Sequence, residues 1–192
     1  ERAKGRRYFV VSGTVALAIL AAAAYYFTSQ TPGAPNVVAT QQRASADKLY
    51  SAKPTVAQEK YRTFVEQHKA SPDKQVQDQV GAARMRLGYL SAKEKDFRAA
   101  HATFRQAATE YKGEGKANPS FGTLPDQAEY QAAVCLVAEG KADEARKEFR
   151  RFIKERPLSP LAHAAYRRLV RLNDGESLKE DEDLLQTAVR LQ

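Results

Sequence analysis

The chain has 192 residues, and 31 Lys and Arg against 23 Asp and Glu give it a net charge of +8. It is long enough for one domain with a substantial core, and its sparse Gly (ten) and Pro (eight) are typical of a mostly helical protein. A single cysteine, Cys135, excludes an internal disulfide, and its apolar neighbours predict a small buried hydrophobic residue.

An uncharged segment, Tyr8 to Phe27, follows a basic flank over 1–7 with a net charge of +3. Twenty helical residues span about 30 Å, the thickness of the hydrocarbon core, and aromatic residues at both ends are typical of headgroup level. We therefore expect a transmembrane helix over 8–28, with a cytoplasmic N-terminus and the remaining chain on the periplasmic or extracytoplasmic side of the cell (inner) membrane. The alternative is a cleaved secretory signal, although the apolar run exceeds the usual length of about 7–15 residues.

Small residues recur every fourth position inside this segment, at Thr14, Ala18 and Ala22. Stripes of this kind let helices approach closely in lipid. We expect the stripe to pack against another membrane-protein subunit. The alternative is a simple anchor that contacts the lipid bilayer all round.

Pro32, Gly33 and Pro35 interrupt helical structure, so we predict a flexible linker over 29–42. Helix signals follow: hydroxyl caps at Ser71 and Ser159, each before a proline, a helix start at Pro125, and helix ends at Gly140 and Pro157. The predicted helices cover 43–52, 55–69, 72–93, 96–111, 125–139, 142–156, 160–172 and 177–190. No period-2 strand is predicted, and the expected fold class is all-α.

A pattern of small and aromatic residues repeats along the predicted helices. It pairs an alanine with an aromatic residue four positions later and a further apolar residue three positions beyond, at Ala57/Tyr61/Phe64, Ala100/Phe104/Ala107 and Ala145/Phe149/Phe152. A small residue lets a helix approach its partner, and the aromatic residue fills the contact to the next pair. The alanines lie 43 and 45 residues apart.

These residues, with Leu87-Gly88 and Asp96-Phe97, make the chain resemble the tetratricopeptide repeat family over roughly 43–172. The resemblance implies an α-helical hairpin solenoid, completed here by a C-terminal acidic capping helix over 173–192. The sequence departs from the family in its period, which is longer than the usual 34 residues, and in an insert from Lys112 to Leu124.

Reactive groups do not form a known constellation in the sequence. The three histidines are scattered, and the H-E-x-x-H, C-x-x-C, C-x-x-C-H and Gly-rich phosphate-loop patterns are absent. We therefore expect neither an enzyme nor a bound metal or cofactor.

Basic residues are concentrated between Lys141 and Arg171, where ten Lys and Arg oppose four Asp and Glu. The segment 172–192 has instead a net charge of −4. One interpretation is a solvated face partly neutralised by this acidic tail. The other is a surface, including Arg150, Arg151, Arg168 and Arg171, that binds an acidic partner or anionic headgroups. Nucleic acid is not expected, since the surface is predicted to lie outside the cytoplasm.

Two further groups of residues are candidates for partner binding. The inner face of the predicted array would present Met85, Tyr89 and Tyr130, a mixture that suits a peptide or protein better than a small molecule. Phe121 lies in the insert and could either close the domain's own core or serve as an exposed anchor.

Together these features predict a membrane-anchored accessory subunit or scaffold. Its span would pack into a respiratory, photosynthetic or secretory assembly, and its hairpins would hold a soluble or periplasmic protein segment nearby. The alternative is a periplasmic chaperone or envelope-assembly factor that binds client peptides. A sensor of envelope polymer is a third hypothesis.

Overall fold

The computed structural model describes residues 35–172 and Gln186. Within this part of the chain there are seven α-helices and no strand, which confirms the predicted all-α class. The helices are α1 (Pro35–Asp47), α2 (Pro54–His68), α3 (Lys74–Lys93), α4 (Phe97–Thr109), α5 (Leu124–Ala138), α6 (Ala142–Glu155) and α7 (Ala162–Leu172).

None of these seven helices is both long and apolar enough to cross a bilayer. The predicted transmembrane helix over 8–28, its basic flank and the stripe of Thr14, Ala18 and Ala22 lie outside the described residues. The predicted acidic helix of 173–192 also lies outside them, apart from Gln186.

Helix α1 begins eight residues before its predicted start, so that it replaces the second half of the predicted linker. Pro35 fits the first turn of a helix, because its missing N–H would have no intrahelical acceptor there. Ala39 and Ala46 lie two turns apart and are fully buried. The first eight residues of this helix were not predicted, because buried alanines give only a weak hydropathy pattern.

Two other helices begin later than predicted. Asp73 caps α3 in place of Ser71, and its carboxylate accepts a hydrogen bond of 2.8 Å from the N–H of Gln75. Helix α7 begins at Ala162 because 157–161 forms a turn. In both places the Ser-Pro pair lies just before the helix, and the helix begins two residues later than predicted.

The start of α5 and its end each lie one residue before the predicted position. Thr123 and Asp126 form a capping box ahead of the helix, with Pro125 in its first turn. Gly140, just past the helix end, has a φ of +78°, a left-handed conformation that favours glycine.

Helices that follow one another in the chain pack as antiparallel pairs. Arg84 of α3 meets Glu110, just past the end of α4, and Gly88 of α3 meets Phe104 of α4, so the order along one helix is reversed on the other. From α2 onward each helix packs on the next, and α3 also contacts α5. The same reversed order relates two hydrogen-bonded pairs across α1 and α2, Asp47–Tyr61 and Gln42–His68.

The core consists of three clusters that follow one another along the chain, the first within α1–α3, the second within α3–α5 and the third within α5–α7. The repeating alanine and aromatic positions all lie in these clusters. Their members are Ala57, Tyr61 and Phe64 in the first, Ala100, Phe104 and Ala107 in the second, and Ala145, Phe149 and Phe152 in the third. Each cluster is assembled from neighbouring helices, which keeps the stabilising contacts local in sequence.

Candidate protein-interaction surface

Two of the predicted interaction residues, Met85 and Tyr89, line a cavity of about 290 Å³ between α3 and α5. Met85 forms its floor, since it is only 7% exposed. Tyr89 is half-buried, and its ring meets that of Phe104 edge-on with centroids 5.2 Å apart. Gln127 of α5 adds a polar group to the wall. The cavity combines a flexible thioether, an aromatic ring and an amide, which together accommodate a protein side chain.

The environment of Tyr89 determines the protonation state of its hydroxyl. Burial raises the pKa of its hydroxyl above the ordinary tyrosine value, so the group stays protonated and can donate a hydrogen bond. The neighbouring Arg86 lines the same cavity, and its guanidinium lies 4.8 Å from the ring centroid of Tyr50. This contact fixes the position of the guanidinium, which keeps its positive charge at the cavity mouth.

Tyr130 and Arg168, both predicted interaction residues, are brought together across α5 and α7. The Nε–H of Arg168 donates a hydrogen bond of 3.0 Å to the Tyr130 hydroxyl. The Tyr130 ring packs against Phe149 and Phe152, at centroid distances of 5.9 and 6.4 Å. Arg168 is therefore anchored to the third core cluster at a defined position.

Arg171 lies one turn beyond Arg168 on the same face of α7. Both residues line a cavity of about 260 Å³ together with Val137 and Leu172. Two arginines beside apolar walls suit a partner segment that has a carboxylate next to an apolar side chain.

At least four of the ten basic residues between Lys141 and Arg171 pair with carboxylates in the described part of the chain. Arg151 pairs with Glu148 at 2.7 Å and lies 3.9 Å from Glu155, while Arg150 is exposed. The further pairs are Lys141–Glu139, Arg146–Asp143, and Arg156 with Asp126 and Glu129. These pairs favour the solvated-face interpretation for the part of the segment that they neutralise.

Phe121 lies at the tip of a tight loop and is 54% exposed. The loop closes through the Gly122 N–H, which donates to the Asn118 carbonyl at 2.7 Å, and the reverse bond from the Asn118 N–H at 2.8 Å. Gly122 adopts a φ of +72°, which permits this reversal. Of the two roles left open by the sequence, the position of Phe121 fits the exposed anchor.

The sequence did not reveal the contact that holds this loop to the rest of the domain. Arg156 donates to the buried carboxylate of Asp126 at 2.8 Å and forms two bonds with Glu129, of 2.9 and 3.0 Å. Asp126 also accepts from the Thr123 N–H at 3.0 Å. The only sequence signal was the Thr-x-x-Asp pattern of a capping box, which identifies the helix start and not its distant partner.

The described residues include no group of three or more His, Cys, Asp and Glu placed to hold a metal ion. Cys135 is buried as predicted, and burial raises the pKa of its thiol to about 11, which keeps it protonated at neutral pH. Comparison of the chain with protein-family models, with curated proteins and with solved structures finds no match.

Proposed function

We propose that this chain is a membrane-anchored scaffold whose helical hairpins bind a segment of a partner protein on the non-cytoplasmic side. One observation carries the proposal: Tyr89 of α3 lines one open cavity, Arg168 and Arg171 of α7 line another, and Tyr130 of α5 accepts a hydrogen bond from Arg168. Tyrosine and arginine are enriched at the centres of protein interfaces, because they combine apolar area with a fixed polar group. Tyr89 and Tyr130 pack against buried aromatic rings, and Arg168 is bonded to Tyr130, so these three side chains would lose little conformational entropy on binding.

The order of the helices supports a repeat array of the tetratricopeptide type. Antiparallel neighbours, a small residue at each close approach and core clusters that follow the chain are the features that such arrays need. First helices of successive hairpins line one face of a solenoid, and this is the face that would receive the partner.

The membrane part of the proposal rests on the sequence of 8–28 and its basic flank. In this scheme the small stripe at Thr14, Ala18 and Ala22 packs against another subunit within the bilayer, and the hairpins bind a soluble segment of the same assembly. The chain then acts by holding two proteins together, without a cofactor and without catalysing a reaction.

Site-specific photocross-linking tests the proposed face. A photoreactive phenylalanine analogue replaces Tyr89 in the full chain in native membranes, and the matched control places the same analogue at Lys147, on the exposed side of α6. Irradiation should give one discrete product at position 89 and none at 147. The absence of a product at 89, or the same products at both positions, would contradict the proposal.

Protease protection tests the proposed orientation independently. Protease added to spheroplasts should digest the helical domain while the N-terminal flank stays protected. A domain that resists digestion until the bilayer is broken would place it in the cytoplasm.

The alternative, a chaperone for client peptides, is favoured by the Met85 floor, since methionine adapts to side chains of different shapes. The two functions differ in stoichiometry. A scaffold should co-purify with one partner in a fixed ratio in mild detergent, whereas a chaperone should cross-link from position 89 to a ladder of proteins.

A further inference from the structure

Two exposed apolar side chains lie close together at one end of the helical array. Phe121, at the tip of its loop, is 54% exposed, and Leu158, in the turn between α6 and α7, is 60% exposed. The residues that follow them meet, because a Cβ atom on Gly122 would stand 3.1 Å from the hydroxyl oxygen of Ser159. Single exposed apolar residues are common, whereas neighbouring ones indicate an interaction surface.

The fold holds both side chains away from the core. Two backbone hydrogen bonds close the loop of Phe121. In the turn of Leu158, the buried hydroxyl of Ser159 accepts a hydrogen bond of 3.3 Å from the Leu161 N–H. Neither Phe121 nor Leu158 belongs to any of the three core clusters. Their exposure is therefore built into two closed turns.

This pair lies at the same end of α3 as the first half of α1. The side-chain amide of Gln79 in α3 donates to the Thr40 hydroxyl of α1 at 2.8 Å. One residue earlier in α3, the Asp78 carboxylate accepts at 2.9 Å from the N–H of Gly115, which belongs to the same insert as Phe121. The point at which the chain enters the array is therefore next to the insert.

Chain length limits how far this end can lie from a bilayer. Ten residues separate the predicted span over 8–28 from Ala39, a reach of at most about 36 Å. The third exposed large apolar residue of 39–172, Val56, lies in the first turn of α2, which runs antiparallel to α1. A membrane anchor would therefore keep Phe121 and Leu158 on the side next to the lipid, with Val56 at the far end.

Positive charge accompanies the two apolar side chains. Lys112 and Lys116 are exposed in the insert, and neither pairs with a carboxylate of residues 35–172. The exposed carboxylates beside them each lie near a cation, in the pairs Glu114–Lys74 at 3.6 Å and Glu155–Arg151 at 3.9 Å. Apolar side chains flanked by lysines match a lipid surface, where the former reach the acyl chains and the latter the phosphate groups.

We propose that Phe121 and Leu158 form a patch that binds the surface of the lipid bilayer, a contact that rests on the membrane anchor of the proposed function. Both side chains enter the boundary between headgroups and acyl chains, while Lys112 and Lys116 contact anionic headgroups. This second attachment fixes the orientation of the array, so the cavity at Tyr89 is held at a defined height above the membrane.

Quenching by brominated lipid tests the contact. The chain contains no tryptophan, so Phe121→Trp, Leu158→Trp and the matched control Val56→Trp each introduce a single emitter into the full chain. The variants are reconstituted into phosphatidylcholine–phosphatidylglycerol vesicles with and without bromine on the acyl chains. Bromine should lower the emission at 121 and at 158 and leave that at 56 unchanged.

The opposite results overturn the proposal. Emission at 121 and 158 that resists brominated lipid but is quenched by iodide in the water would leave the patch to a protein partner. Quenching at only one of the two positions, or equally at all three, would contradict a joint patch on this side of the domain.

A second variant removes the added aromatic ring from the test of Phe121. In the Leu158→Trp chain, Phe121→Ser should reduce quenching by brominated lipid, because one of the two inserted side chains is lost. Val56→Ser in the same chain is the matched control and should leave the quenching unchanged. Equal quenching with and without Phe121 would show that this residue does not enter the lipid.

Flotation of the same vesicles in a density gradient separates this contact from the anchor. A chain that floats with the vesicles and shows no quenching keeps the proposed anchor and loses the lipid-binding patch. A chain that does not float contradicts both. Cross-linking from Tyr89 to a partner is measured independently of either result.

Discussion

Gly88 of α3 lies so close to Phe104 of α4 that a Cβ atom on the glycine would stand 2.5 Å from a ring carbon. Phe104 is buried and cannot swing away into solvent. The contact between the two helices therefore depends on the absence of a side chain at position 88.

Gly88→Ala should consequently destabilise the domain, although alanine is the better helix former by about 1 kcal/mol. Overpacking a close helix contact costs about 1–3 kcal/mol, which outweighs the gain in propensity. Urea unfolding followed by circular dichroism should show a lower midpoint.

The double variant Gly88→Ala/Phe104→Leu provides the control for this change. Leucine at 104 leaves space for the new methyl group, so the cost of Gly88→Ala should shrink in that background. Equal costs in both backgrounds would show that the ring and the glycine do not interact.

Enlarging the recurring alanines tests further close helix contacts, in the same hairpin and in the next one. Ala100 and Ala145 are fully buried, and leucine at either position should cost about 1–3 kcal/mol by forcing the helices apart. The matched control is Ala102→Leu, on the exposed side of the same helix as Ala100. Thermal unfolding should show a lower Tm for the two buried variants alone, and a Tm unchanged by Ala100→Leu would contradict the close contact.

The burial of these alanines shows which part of the fold the sequence could predict. The approximate helix positions and the recurring small and aromatic residues could be predicted, because they depend only on the spacing of residues along the sequence. Helix α1 was shortened in the prediction because Ala39 and Ala46 supply its buried face with little hydropathy. The starts of α3 and α7 were predicted two residues too early for a different reason. Where a helix begins depends on which oxygen reaches its free N–H groups.

The candidate sites were only partly predictable, because they depend on contacts between distant residues. Tyr130 and Arg168 could be assigned separately to one face, but their hydrogen bond depends on how α5 and α7 pack. The burial of Gln58, Arg84 and Ser91 was not predicted at all. Polar residues in a charged helix normally indicate a solvated face, and nothing local shows that neighbouring helices bury them.

The cluster formed by Arg156 yields a third prediction. Replacing Arg156 with glutamine leaves the buried carboxylate of Asp126 without its cationic partner, which should cost about 1–3 kcal/mol. Arg151→Gln is the matched control, since its partners Glu148 and Glu155 are 26% and 56% exposed, against 9% for Asp126, and pairs of this kind contribute up to about 1 kcal/mol. Chemical denaturation should separate the two variants, and equal losses would show that burial of Asp126 does not matter.

Alkaline pH should weaken the domain through Tyr111. Its hydroxyl donates to the carboxylate of Asp78 at 2.5 Å. Burial, followed by this hydrogen bond, raises the pKa of Tyr111 from 10.0 to about 12. Because the folded state binds the proton more tightly than the unfolded state, this contribution to stability is fully present below pH 10 and is lost as the pH rises through about 12.

Tyr111→Phe isolates that contribution. The phenylalanine variant has no proton to lose at this position, so its unfolding midpoint in urea should fall less between pH 9 and pH 11.5 than that of the unmodified chain. Tyr61, Tyr89 and Cys135, whose pKa values burial also raises, remain in both proteins and contribute to the residual decline. Identical pH dependences in the two proteins would mean that the hydrogen bond between Tyr111 and Asp78 does not hold the proton in the folded state.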